Sequence, residues 1–330
     1  MAEHAWDRVP IDAQSIDAPL SQAAIFLVVV VGDAENDLAK VRDMLGALDD
    51  LVKTVGFRDL SARLSCIAGI GSDLWDRLGE PAKPNELKPF VPIEGIPHKA
   101  PATPGDILFH IRAERPDICF EFERILLDTL GTAVTMIDEV SGFRYFDARD
   151  LLGFVDGTAN PTGHEIGEST LLGDEDPEFA GGSYVVVQKY LHDLTAWGQT
   201  STALQEEIVG RTKIDNIELG DDAAPRKSHK TLTTIVDEDG NEHDILRDNM
   251  PFGRPGHGEF GTYFIGYTRH LWVIEKMLER MFVGEPKGAY DRLLDFSTAQ
   301  TGANFFAPSR STLAKLANPS CGTGPGIRSN

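Results

Sequence analysis

Two strand–helix pairs recur in this chain at almost one spacing, and that repetition limits the available folds more than any other feature. The first pair opens with AIFLVVVV (24–31), an apolar strand with little alternation. It leads into a segment carrying Leu38, Val41, Leu45, Leu48 and Val52, whose spacing of three and four lays one apolar stripe along a helix. DILFHIRAERPDICFEFERILLDTLG (106–131) then reads as strand, short turn and amphipathic helix. The second half repeats the order. SYVVVQKY (183–190) is a strand followed by a helical region over 193–209. TYFIGYTRHLWVIEKMLERMFVG (262–284) is strand then helix, with Leu271, Ile274, Leu278 and Met281 on one face. Val28 to Val185 is 157 positions and Ile107 to Tyr263 is 156, so the offsets agree and point to a duplicated α+β module.

Each half resembles a βαββαβ ferredoxin-like unit, an antiparallel sheet covered by helices. The expected organisation is an N-terminal half over 1–150, a C-terminal half over 151–315 and a flexible tail over 316–330. The junction falls at 150–180, in a stretch rich in Gly, acids and turn formers.

Charge narrows the partners. A net charge of −21 leaves no basic footprint for nucleic acid and disfavours an anionic membrane surface. The longest apolar run, AAIFLVVVV (23–31), is strand-sized and too short to span a bilayer. The N-terminus MAEHAWDRVPIDAQ shows no basic n-region or apolar h-region, so a cytoplasmic location is expected. Cys66, Cys119 and Cys321 are too few and scattered for a disulfide frame. Among nine histidines no HExxH or paired zinc spacing occurs, and GIGS (69–72) lacks the rest of a dinucleotide or Walker fingerprint.

Two stretches resist a purely structural reading. GFVDGTANP (153–161) sets Asp156 in a glycine-flanked turn directly after Leu151 and Leu152. RKSHKTLTTIVDEDGNEHDILRDNMPFG (226–253) reads as a β-hairpin, TLTTIV against HDILRDNM, with His229 just ahead of the first strand and Asp-Gly at the turn. Arg247 and Asn249, two apart, project from one face. Arginine enters an apolar neighbourhood only when paired with an anion; the plain alternative is a salt bridge to Asp248 or Asp244.

Taken together, these motifs are similar to those of the dye-decolourising peroxidases, and to their bacterial B-type branch. Gly153-Phe154-Val155-Asp156-Gly157 matches the GxxDG signature, and SH at 228–229 followed by RDNMPFG matches the haem-binding half. TPGDILFHIRAE, GFRYFDARDLLGF and YDRLLDFSTAQTGANFFAPS extend the resemblance over roughly residues 20–315. It implies two ferredoxin-like halves in a dimeric, barrel-like α+β fold, with haem b held mostly by the C-terminal half. It also implies a homo-oligomer that reduces hydrogen peroxide and oxidises dyes, phenolics or Mn(II). His229 takes the axial position on the haem iron. Its second ring nitrogen needs an acceptor, and Asp291 or Asp295 of YDRLLDFS supplies it, Asp291 being preferred. On the opposite side Asp156 is the candidate base and Arg247 the fixed positive charge for the hydroperoxide anion. Asn249 is the candidate holder of the relaying water, and Gly157 gives the backbone a close approach to the flat cofactor.

Two departures stand out. Ala159 occupies a place where the family's signature more often has Glu, and PSCGTGPGIRSN shows no apolar peptide for docking into an encapsulin shell, so an encapsulated role is not expected. Trp197, Tyr190, Trp272 and Tyr267 are candidate electron relays for bulky donors, though packing explains each. Glu218 and Glu242 are candidate Mn(II) carboxylates in a chain with 52 acids. The rivals are a haem-handling protein, which needs His229 but not Arg247, and a haem-free ferredoxin-like binding module.

Overall fold

The structure, a computed structural model, describes residues 12–79, 82–221 and 226–318. The first apolar run forms β1 (Ala23–Val31) and the striped segment forms α1 (Glu35–Gly56). The half continues through β2 (Ser65–Ile70), α2 (Ser72–Arg77), the small pair β3 (Ile93–Glu94) and β4 (Lys99–Ala100), β5 (Ile107–Ala113), α3 (Pro116–Leu130) and β6 (Val134–Phe143). The second half contains α4 (Glu165–Thr170), β7 (Ser183–His192), α5 (Leu194–Gln199), α6 (Thr202–Val209), α7 (His229–Thr233), β8 (Ile235–Val236) and β9 (Glu242–His243). It ends with β10 (Leu246–Arg247), β11 (Met250–Arg254), β12 (Glu259–Thr268), α8 (Leu271–Phe282), β13 (Ser297–Ala299), β14 (Ala303–Ala307) and α9 (Arg310–Ala317).

Strand order is β6-β1-β5-β2 in the first half and β14-β7-β12-β10 in the second, the antiparallel arrangement of a ferredoxin-like unit in both. β2 and β14 meet at Ile70 and Phe306, so the two sheets fuse edge to edge into one. Side-chain alternation gives this sheet two cores. Ile25, Leu27 and Val29 of β1 pack under α1 and α3 against Met44, Leu45 and Phe122. Phe26 and Val28 point the other way, towards Val185, Tyr263 and Ile265 of the second half. The two half-sheets thus face each other, and the Phe26 and Tyr263 rings stack at 4.2 Å. Their outer edges also approach: a Cβ on Gly142 of β6 would lie 2.6 Å from the Met250 Cβ of β11. Among the described residues no strand pairing joins these edges, so the sheet is not a closed barrel.

Three local expectations change. TLTTIV is not a strand along its length: Ser228 caps a helical turn by accepting the Thr231 N–H, and α7 carries His229. Only Ile235 and Val236 pair, with His243 and Glu242, around a turn whose Gly240 has φ +88°. The helical region over 193–209 is two helices, because Asp193 and Ser201 each cap a separate start. Leu316, in the stretch expected as a tail, lies in α9 and is fully buried against the first core; residues 319–330, with the PSCGTGPGIRSN segment and Cys321, lie outside the described residues.

Candidate active site

The helix-covered face of the second half-sheet encloses a cavity of about 260 Å³. Alternation on β7 turns Gln188, Tyr190 and His192 into it, while β12 adds Thr262 and Phe264 and α8 adds Met277 and Met281. His229, Asp156, Gly157, Arg247 and Asn249 all line this one cavity, although they span 93 positions from 156 to 249.

His229 enters from α7. Its Nδ1 lies 2.6 Å from Asp291 Oδ2, and its Nε2 has no partner among the described residues. Asp291 is fully buried and caps a short 3-10 turn, Arg292–Asp295, by accepting the Leu293 N–H at 2.9 Å. Because that turn is not an α-helix, Asp291 and Asp295 diverge. Asp295 is 40% exposed and bonds His98 Nε2 at 2.9 Å and the Tyr290 hydroxyl at 3.1 Å.

The GFVDGTANP stretch closes a small hairpin. Arg149 and Val155 pair, and the Asp156 N–H donates to the Ala148 carbonyl at 2.9 Å. Gly153 at φ +94° and Gly157 at φ +77° hold backbone conformations that side chains avoid, and a Cβ on Gly153 would strike Lys213 at 2.5 Å. Asp156 Oδ1 accepts the Gly157 N–H at 2.7 Å, which fixes the carboxylate at the cavity wall. Ala159 lines the same wall with a methyl group.

Asn160 ties this loop to the opposite strand. Its Nδ2 donates to the Arg247 carbonyl at 2.7 Å and its Oδ1 accepts the Arg247 N–H at 3.1 Å. The register of β10 and β11 against β12 is continuous, Arg247 opposite Gly266 and Met250 opposite Tyr263, so no bulge breaks the alternation. Arg247 and Asn249 therefore face the cavity while Leu246, Asp248 and Met250 face inward. Neither acid considered as a salt-bridge partner takes Arg247. Asp248 pairs instead with Arg112 of β5 at 2.8 Å, both side chains 2% exposed. Arg247 Nε is buried with no hydrogen-bond partner among the described residues. Asn249 Oδ1 accepts the Ile265 N–H at 3.1 Å.

Three further groups were not apparent from the sequence. Fully buried Gln188 accepts the Tyr190 hydroxyl proton on Oε1 at 2.7 Å, leaving its buried Nε2 unpaired at the cavity. Burial pushes the His192 imidazole down to about 4, keeping it neutral between Ser297 and Thr262. Burial, with some help from the charge of Asp156, pushes the Asp150 carboxyl up to about 7. A polar residue at every second position of an otherwise apolar strand, as in VVVQKYLH, was the available signal for the first two.

The candidate relays divide. Trp197 is buried, donates to the Leu152 carbonyl at 2.8 Å and carries Lys213 Nζ 5.9 Å from its ring, a cation that opposes loss of an electron. Tyr267 is buried against His110 at 2.8 Å. Trp272 is 37% exposed and meets His243, a cavity residue, edge-on at 4.9 Å. Glu218 is occupied by Arg211 and Lys230 at 3.1 and 2.8 Å, and among the described residues no three His, Cys, Asp or Glu side chains form a metal-sized cluster. No described helix is long and apolar enough to cross a membrane.

Comparison with known proteins agrees with this geometry. Residues 13–144 match the family model for Dyp-type peroxidase, N-terminal, and residues 147–312 that for Dyp-type peroxidase, C-terminal. A dye-decolorizing peroxidase of Mycolicibacterium paratuberculosis is 56% identical over 91% of this chain and 84% of that protein. A Rhodococcus jostii RHA1 DypB variant in complex with heme superposes with TM-score 0.88 at 58% identity, covering 90% of this chain and 96% of that one. An encapsulated DyP-type peroxidase from Mycobacterium smegmatis superposes with TM-score 0.89 at 53% identity, covering 94% and 99%. The chain therefore belongs to the Dyp-type peroxidase family.

Proposed function

We propose that the cavity would hold haem b, with His229 as the residue that would ligate its iron and Asp156, Arg247 and Asn249 as the residues that would handle peroxide. The observation that carries this reading is that two groups lining one cavity, His229 Nε2 and the buried Arg247 Nε, have no partner among the described residues. Gln188 Nε2 is a second buried donor with no partner among the described residues. When bound, the haem supplies a redox-active iron that takes electrons singly from a donor and passes two to peroxide.

The chain's own residues do the rest. Asp291 accepts the His229 Nδ1 proton, which fixes the tautomer that leaves Nε2 as the ligating atom and raises its basicity. Asp156 takes a proton from one peroxide oxygen and returns it to the other. Arg247 stabilises the hydroperoxide anion and the negative charge that grows as the O–O bond lengthens. Asn249, with its carbonyl oxygen on the Ile265 N–H, turns its amide N–H towards the cavity, where it holds the water between base and peroxide. Met277, Met281 and Phe264 add apolar surface to the cavity wall.

Small cationic or neutral donors, phenolics and dyes among them, suit a chain of net charge −21. Self-association through the edge strand β6 fits the same reading, since β6 exposes Met136, Ile137 and Phe143. Two buried thiols without a disulfide, Cys66 and Cys119, suit a cytoplasmic setting. The test is spectroscopic. Purified protein should show a Soret band that is lost or shifted to a weakly ligated form in His229→Ala; a band identical in wild type and variant contradicts the axial assignment.

A further inference from the structure

The signature hairpin carries two carboxyls, and only one is used in the mechanism above. Ala148 faces Asp156 across the hairpin, through the Asp156 N–H donating to the Ala148 carbonyl at 2.9 Å. Asp150 faces Phe154, its N–H donating to the Phe154 carbonyl and its Oδ1 accepting the Phe154 N–H, both at 2.9 Å. The isolated Arg149–Val155 pair closes the hairpin and sets Asp150 on one arm and Asp156 on the other. Both line the cavity.

Their surroundings differ. No cation hydrogen-bonds Asp150 among the described residues. Arg149 spends its guanidinium on the carbonyls of Gly153, Lys213 and Ile214. Lys213 donates its amine to Gln205 Oε1 at 2.7 Å and lies 5.5 Å over the Phe154 ring; burial lowers that amine and the nearby charge of Asp150 acts against the lowering. Glu206 of α6 accepts the Lys213 backbone N–H at 2.8 Å. The Phe154 N–H favours ionisation of Asp150, while burial and the charge of Asp156 oppose it and prevail. Two carboxyls lining one cavity, Asp150 raised by burial, form an arrangement in which a protonated acid can serve a neighbouring base.

We propose that Asp150 is a second functional carboxyl of the peroxide site, a proton store that feeds the site through Asp156. The inference rests on the peroxidase reading above. Reducing one hydrogen peroxide to two waters breaks the O–O bond, forms two O–H bonds and consumes two electrons and two protons. The electrons come from the donor. Each proton leaves Asp150 as its carboxyl O–H bond breaks, passes to the Asp156 carboxylate and ends in a product water. Solvent returns a proton to Asp150, balanced by the proton that oxidation of the donor releases.

The test compares haem-loaded wild type, Asp150→Asn and Asp150→Glu by pH–rate profile with peroxide and a dye, alongside infrared titration of the carboxyl. Wild-type turnover should fall as pH rises through about 7, where a protonated-carboxyl band should disappear. Asp150→Asn should keep its Soret band, lack both the band and that limb of the profile, and turn over roughly 10²-fold more slowly at acid pH. Asp150→Glu should recover the limb, and carries the test if the Asn variant is unstable. Unchanged rate and limb in Asp150→Asn, or an infrared titration identical in wild type and variant, overturns the proposal. Absence of peroxide turnover in wild type would instead overturn the peroxidase reading itself.

Discussion

Asn160 holds the peptide of Arg247 from both sides, donating to its carbonyl at 2.7 Å and accepting its N–H at 3.1 Å. The loop that presents Asp156 and the strand that presents Arg247 are thus locked together by one side chain, 87 positions away in sequence. Asn160→Ala should lower unfolding free energy by about 1–3 kcal/mol, the cost of leaving both peptide groups unpaired. It should also lower kcat/KM for peroxide by on the order of 10²-fold with haem content unchanged, as expected for a misplaced catalytic group. Denaturant titration and steady-state kinetics check the two halves; full activity would show that Arg247 is positioned without Asn160.

The His229–Asp291 contact at 2.6 Å makes a prediction about potential rather than rate. Asp291→Asn keeps the shape but loses the negative charge behind the imidazole. The reduction potential of the bound haem should rise and its affinity fall by about 10- to 100-fold, as measured by spectroelectrochemistry and haem transfer. A potential equal to that of wild type would contradict the role given to Asp291.

The Arg112–Asp248 pair joins the two halves behind the site, fully shielded from water. Removing one partner strands the other charge, so Arg112→Leu should cost about 3–5 kcal/mol of stability. Chemical denaturation measures this directly. An unchanged midpoint would mean that solvent reaches Asp248 once Arg112 is gone.

Glu123 of α3 supplies a pH dependence of folding. Its Oε1 is buried without a partner, and burial, reinforced by the charge of Glu139, pushes the carboxyl from an ordinary 4.5 to about 7. A carboxyl raised in the folded state contributes stability in full below its unfolded value and loses it as pH rises through 7. Glu123→Gln should therefore match wild type near pH 4 and become the more stable form near pH 8. Parallel stability curves for the two proteins would refute this.

The duplicated strand–helix spacing made the fold legible, because a long apolar run and a helical stripe each leave a period in the sequence. β1, α1, β5, α3, β12 and α8 all lie where that period puts them. α7 did not, since Thr231, Thr233 and Thr234 favour a strand and only the Ser228 cap, a contact of one hydroxyl, turns the chain into a helix. In the site, Asp156, Arg247 and Asn249 were marked by charge or polarity beside apolar neighbours, whereas His229, between Ser228 and Lys230, was marked by the family resemblance. Asn160 and Asp150 were hidden inside turn-forming sequence, where Asn and Asp are ordinary backbone choices. Their roles depend on a partner strand 87 positions away and on burial, neither of which a local pattern encodes.

Arg247, whose buried Nε has no hydrogen-bond partner among the described residues, carries the peroxide chemistry, and rapid mixing tests that role. Haem-loaded Arg247→Leu mixed rapidly with hydrogen peroxide should keep its Soret band and His229 ligation, yet react at least about 10²- to 10³-fold more slowly than wild type. A rate within a few-fold of wild type would contradict the assignment of peroxide cleavage to this residue.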